Sequence, residues 1–230
     1  MGDAADIAER VAAIRRRMEQ AAREAGRPGA LLVAAAKTAD AGAVRAAVAA
    51  GVDAVGENRV QEMLAKDAQG AYAGAPLHFI GRLQRNKVAK LVGRVALLQS
   101  VDSPALAEAV DAQAEKTGRR QAVLLEVNVG GEATKSGWTP EALWTSLESL
   151  SSLRHIQIRG LMCIPPPRAA IGGTQYFVVM RQLYIDIGRK NIDNIGMDIL
   201  SMGMSDDFEE AVRAGATMVR VGSALFGPRT

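Results

Sequence analysis

The sequence predicts an α/β fold, a single (β/α)8 TIM-type barrel with an additional N-terminal helix, on three observations. Eight strand-like apolar runs alternate with helical segments along the 230 residues, the pattern of parallel βα units. Several of these runs are apolar throughout, as strands covered on both faces of a parallel sheet must be. No low-complexity linker or break in composition divides the chain, so residues 1–230 read as one domain. Eight is the number at which such a series closes into a barrel, and an open doubly wound sheet is the alternative if the short second run is not a strand.

Taken in order, Ile7, Val11, Ile14 and Met18 repeat at helical spacing until Gly26 and Pro28 stop the pattern, giving an amphipathic helix before the first strand. The strand-like runs are LLVAAA, AVGE, LHFIG, VALLQS, AVLLEVNV, IRGLMCI, DILSMG and MVRVG. Ser103-Pro104 and Thr139-Pro140 each offer an N-cap followed by proline at the first helical position. Leu143, Leu147 and Leu150 mark the buried face of the helix that follows Thr139. Arg82, Arg85, Lys87, Lys90 and Arg94 read as the solvated face of a helix between the third and fourth strands. PPPRAAIGGTQ, residues 165–175, is the one long irregular connection, and its prolines and glycines suit a mobile loop.

Composition narrows the function. Basic residues number 28 against 25 acidic, they are scattered, and no aromatic residues interleave the basic cluster, so a nucleic-acid surface is not expected. No apolar run reaches membrane-spanning length, and the charged, helix-patterned start is unlike a signal peptide, which places the protein in the cytoplasm. The single cysteine, Cys163, excludes an internal disulfide and a thiolate metal cluster, and the two histidines lie far apart, so no metal site is expected.

The chemistry centres on LLVAAAKTAD, an apolar run that ends on Lys37. Such a lysine either reaches water from the strand end or sits in a pocket that uses its amine. In a barrel the strand C-terminal ends form the active face, and there the sequence gathers Lys37, then Glu57, Asn58 and Arg59, then His78, Asn128, the Ser201, Gly203 and Ser205 group, and Arg220, Gly222 and Ser223. The run VRVGSALFG adds a close-approach glycine, a hydroxyl and the start of a short helix whose free N–H groups suit a phosphate. Asp206 and Asp207 would oppose an anion unless their carboxylates turn outwards. A lysine opposite a phosphate site admits two ligands, a phosphorylated sugar or pyridoxal phosphate.

At larger scale, LLVAAAKT, AVGENRVQE, HFIGRLQRNK, KSGW, RGLMCIPP and LSMGMSDDFEEAVRAGATMVRVGSALFG together resemble the pyridoxal phosphate homeostasis proteins, barrels related to the N-terminal domain of alanine racemase. The resemblance covers almost the whole chain. It implies pyridoxal 5'-phosphate as cofactor, a Schiff base on Lys37, and a phosphate held by Ser201, Ser205, Gly222 and Ser223. It places Arg220 towards the pyridine nitrogen and Asn58 and His78 near the ring. Lys135 matches the family's second, loop-borne lysine, for which an exposed loop lysine is the plainer reading. Ala36 departs from the small hydroxyl residue common before the lysine, and Asp40 stands where a proline often follows. The 172–198 stretch is less typical than the motifs around it.

The implied function is a monomeric, cytoplasmic carrier in vitamin B6 homeostasis rather than an enzyme, with delivery to pyridoxal-phosphate-dependent apoenzymes left open. Arginine at the ring nitrogen accepts no proton and weakens the electron sink, and the chain ends at Thr230 without the second domain of a racemase. An amino-acid racemase or lyase and, further off, a Schiff-base aldolase of phosphosugars stand as alternatives.

Overall fold

The computed structural model describes residues 4–132, 134–166 and 173–227. Helix α1, Ala4–Glu24, buries Ile7, Val11, Ile14 and Met18 along one stripe, extended by Ala21 and Ala22, as the spacing predicts. The strands are β1 Leu31–Ala35, β2 Ala54–Glu57, β3 Leu77–Phe79, β4 Leu97–Val101, β5 Gln121–Glu126, β6 Ile156–Met162, β7 Ile195–Ser201 and β8 Met218–Val221. They follow one another in chain order around a closed barrel, and the short second run is a strand. The helices are α2 Ala41–Ala49, α3 Val60–Asp67, α4 Pro104–Lys116, α5 Pro140–Ser151, α6 Gly173–Arg189, α7 Phe208–Ala214 and α8 Ser223–Phe226.

The chain divides into two compact units. The first, Met1–Ile80 with Met202–Thr230, contains the parallel pairs β8–β1, β1–β2 and β2–β3. Leu32, Val33, Ala34, Val55 and Val219 form its fully buried centre. Helix α1 packs on α2, α7 and α8. Its outer edge carries Arg17 against Glu209, both bonds 3.0 Å, and Glu24 against Arg213 at 2.8 Å. Such exposed, solvent-screened pairs add little, so the apolar stripe is what fastens the helix. Asp40 caps α2 by accepting the Ala43 N–H at 2.8 Å, which gives the departure from proline at that position a local purpose.

The second unit, Gly81–Ser201, holds the pairs β4–β5, β5–β6 and β6–β7, each with a register irregularity. Leu98, Val123, Leu124, Leu125, Ile158, Leu161 and Leu200 are buried. Thr139 caps α5 by accepting the Ala142 N–H at 3.1 Å, with Pro140 at the first helical position. Leu143, Leu147 and Leu150 are its buried face.

Two expectations change. The basic segment between β3 and β4 is a 3-10 helix, Arg85–Lys90, in which Val88 alone is buried; without an apolar stripe at 3.6 spacing, a longer α-helix has nothing to dock. Arg82, Arg85, Lys90 and Arg94 are exposed and Lys87 is half-buried. Strand β5 ends at Glu126, two residues before Asn128, because Asn128 N–H bonds the Trp138 carbonyl instead, at 2.8 Å. Residues 167–172 of the irregular 165–175 connection lie outside the described residues. Among the described residues no helix is long and apolar enough to cross a membrane.

Candidate functional site

In the first unit the register of four neighbouring strands assembles a row of small residues. Ala35 pairs with Gly56, and Gly56 with His78. Since Ala34 pairs with Val221, Gly222 stands beside Ala35, and a Cβ on Gly222 would lie 3.2 Å from the Ala35 carbonyl oxygen. A Cβ on Gly56 would lie 2.8 Å from Ile80 Cδ1 and 3.0 Å from Val33 Cγ1. The row Gly222, Ala35, Gly56 and His78 is therefore small across three strands and ends on an imidazole, with Val33 and Ile80 packed closely against Gly56. Arg220, buried on the same face of β8, registers with Val33 one step earlier.

Lys37 follows β1 after one residue, Ala36, and is half-buried. Among the described residues its side chain makes no hydrogen bond or ion pair. The backbone leading to it is held on both sides: Ala36 N–H donates to the Gly56 carbonyl at 2.9 Å, and the Ala36 carbonyl accepts from Ala39 N–H at 3.1 Å. Asn58, half-buried, and Arg59, exposed, continue from β2, and Arg59 pairs with Glu62 at 2.8 Å.

The loop after β7 meets the turn after β8. Ser205 Oγ accepts the N–H groups of Gly222 at 3.1 Å and Ala224 at 3.2 Å. Two backbone donors thus converge on one oxygen, the arrangement an anion's oxygen requires. Gly203 permits this loop: its φ is +91°, and a Cβ there would lie 2.5 Å from Ala211 Cβ. Asp207 turns its carboxylate back to accept the Met204 N–H at 2.6 Å. Ser223 is exposed at the start of α8.

His78 is buried, and desolvation lowers its pKa from 6.5 to about 4, so the ring is neutral at pH 7. The unfolded chain then binds more protons than the folded one between those two values, and stability falls as pH drops from 6.5 to about 4. At about 1.4 kcal/mol per unit, the full effect approaches 3 kcal/mol. A His78→Gln variant is expected to show a flatter acid limb than the wild type in urea melts across this range; parallel limbs would contradict it.

Three residues named from the sequence, Asn128, Lys135 and Ser201, stand in the second unit. Ser201, fully buried at the end of β7, donates to Gln99 Oε1 at 2.7 Å. Lys135 pairs with Glu132 at 2.5 Å in a loop held by Asn128, whose amide donates to the Glu132 carbonyl at 2.9 Å. Its neighbour Trp138 is buried and donates to the Val101 carbonyl at 3.1 Å. The lysine is two-thirds covered and ion-paired, not a free loop lysine. A cavity of about 260 Å³ lies beside it, lined by Arg82, Glu126, Asn128 and Ser136 among others.

The sequence reading missed one feature of the first unit. Glu57 is fully buried at the end of β2, and Lys66 Nζ of α3 lies 2.7 Å from its Oε1. The same ammonium donates to the Ala36 carbonyl at 2.7 Å, and Tyr72 donates to Glu57 Oε1 at 2.9 Å. Glu57 Oε2 has no hydrogen-bond partner. Burial raises the Glu57 pKa against the opposing pull of Lys66 and Tyr72. The signal was present in the sequence: Lys66 continues the buried Val60 and Met63 stripe of α3, so a lysine on that face demands an acidic partner.

Among known proteins, the sequence matches the family described as alanine racemase, N-terminal domain, over residues 10–230. It is 42% identical over 226 residues to the pyridoxal phosphate homeostasis protein of Pseudomonas aeruginosa, covering 97% of this chain and 96% of that one. It is 42% identical over 224 residues to the protein of that name from Aquifex aeolicus, covering 96% and 97%. The structure of PipY from Synechococcus elongatus with PLP bound is similar at a TM-score of 0.83 and 38% identity, over 96% of this chain and 100% of that one. Alanine racemase of Clostridium difficile shares the fold at a TM-score of 0.72 with 16% identity, over 93% of this chain and 56% of that enzyme.

Proposed function

The chain belongs to the pyridoxal phosphate homeostasis proteins, a group built on the alanine racemase N-terminal domain, and from that premise we propose that residues 1–230 act as one domain holding pyridoxal 5'-phosphate as a Schiff base on Lys37. One observation carries the proposal. An amine with no partner among the described residues stands two positions beyond Ala35, whose neighbour Gly222 opens a turn in which two N–H groups already share one oxygen.

The residues present fit such a cofactor. Bound there, it supplies an aldehyde, a phosphate dianion and a flat pyridine ring. Lys37 Nζ, as the free amine, would be the group that holds the aldehyde carbon, with water as the leaving product. The N–H groups of Gly222 and Ala224, with the hydroxyls of Ser205 and Ser223, hold the phosphate; Ser201 joins this set on its motif. Asn58 and His78 flank the ring, beside the small residues Ala35 and Gly222. Arg220 faces the ring nitrogen, where a guanidinium accepts no proton and leaves the ring a poor electron sink.

That last feature favours carriage over turnover. In this reading the protein is a cytoplasmic monomer without a catalytic role, keeps the reactive aldehyde sequestered and passes the cofactor to apoenzymes. The homeostasis name of the relatives supports the reading.

The phosphate assignment is tested by charge. Ser223→Asp sets a carboxylate against the dianion at the turn, whereas Ser149→Asp adds the same charge to an exposed position of α5. Only the first is expected to lose cofactor, by about tenfold or more in equilibrium dialysis. Equal retention by both variants would place the phosphate elsewhere.

A further inference from the structure

Resting on that reading, we propose that Lys66 is a positioning residue for Lys37: anchored by Glu57, it fixes the peptide plane from which Lys37 projects. The Ala36 carbonyl and the Lys37 nitrogen belong to one planar amide. Whatever holds that carbonyl therefore sets the direction in which the Lys37 backbone begins. The Ala36 N–H is bound into the sheet on Gly56, while its carbonyl takes the Lys66 ammonium at 2.7 Å and the Ala39 N–H at 3.1 Å. Ala36 itself is completely buried and carries no hydroxyl to orient this segment, so the grip comes from α3.

The anchoring is costly, and the cost points to a use. A carboxylate with no exposure, one of its oxygens without a hydrogen bond, adds little to stability that an apolar pair would not match. What an apolar pair cannot supply is a cationic donor on the Ala36 carbonyl. Lys66 is in turn withheld from the cofactor, since its ammonium already serves Glu57 and Ala36. The network thus leaves one amine available near the row and aims it.

The test separates aim from stability. Glu57→Met with Lys66→Met replaces the pair by side chains of similar volume and removes the donor. This double variant is expected to melt at or above the wild-type temperature, yet to capture pyridoxal phosphate on Lys37 at least about tenfold more slowly, a sub-ångström misalignment being sufficient for such a loss. Capture is read by rapid borohydride quench and peptide mass mapping. Tyr72→Phe is the second variant, because it removes a bond to Glu57 and leaves the Ala36 contact: stability should fall while capture holds. Wild-type capture by the folded double variant, or capture that falls in step with stability in Tyr72→Phe, overturns the inference. A wild-type protein unlabelled at Lys37 overturns the underlying function instead.

Discussion

Lys37→Ala is expected to abolish stable cofactor binding, weakening it by at least about 100-fold, or roughly 3 kcal/mol. The reason is chemical rather than steric. The proposed phosphate donors include the backbone N–H groups of Gly222 and Ala224, which converge on Ser205 Oγ and which the substitution leaves in place, so a residual anion affinity should survive while the covalent link is lost. Lys37→Arg should fail as completely, since a guanidinium keeps the charge but offers no free amine. The other lysines considered for the role are engaged, Lys66 with Glu57 and Lys135 with Glu132. Titration of each variant with pyridoxal phosphate, followed by visible absorbance, decides the matter; wild-type affinity in Lys37→Ala would contradict it.

The second large effect is on stability. Lys66→Met alone should cost about 3–5 kcal/mol at pH 8, because it strands Glu57 as an unpaired buried charge. In the wild type burial already raises the Glu57 pKa, and loss of the ammonium raises it further. A folded carboxyl that titrates above its unfolded value binds protons that the unfolded state has released. Its contribution to stability therefore falls as pH rises from the unfolded value through the folded one. The deficit of Lys66→Met relative to the wild type should accordingly grow from pH 5 to pH 8 in chemical denaturation, with protonation of Glu57 relieving it at the acid end. A deficit independent of pH would show that lost packing, not the stranded carboxylate, is responsible.

The barrel was legible because its strands are apolar runs of the right length, and even the short AVGE run is a strand, lying between β1 and β3. The α1 stripe and the Thr139-Pro140 helix start were equally plain. The segment from Arg82 to Arg94 was not, because a basic run with one buried valine has no period to read. The candidate site was legible as positions at strand ends. The register that sets Gly222 beside Ala35 and Gly56 beside His78 was not, since lateral pairing depends on strand offset rather than local pattern. Glu57 was seen only as a residue near the end of the second strand. Its meaning depends on Lys66 and Tyr72, 9 and 15 residues on, brought to it by the fold of α3 and the turn that follows.

The central claim, that Lys37 is the amine that holds the cofactor, is tested most directly by loading the wild-type protein with pyridoxal phosphate, reducing with borohydride and mapping the modified peptide by mass. The expected result is one dominant pyridoxyl group on Lys37. Label found chiefly on Lys135 or Lys66, or spread over the surface lysines, would contradict it.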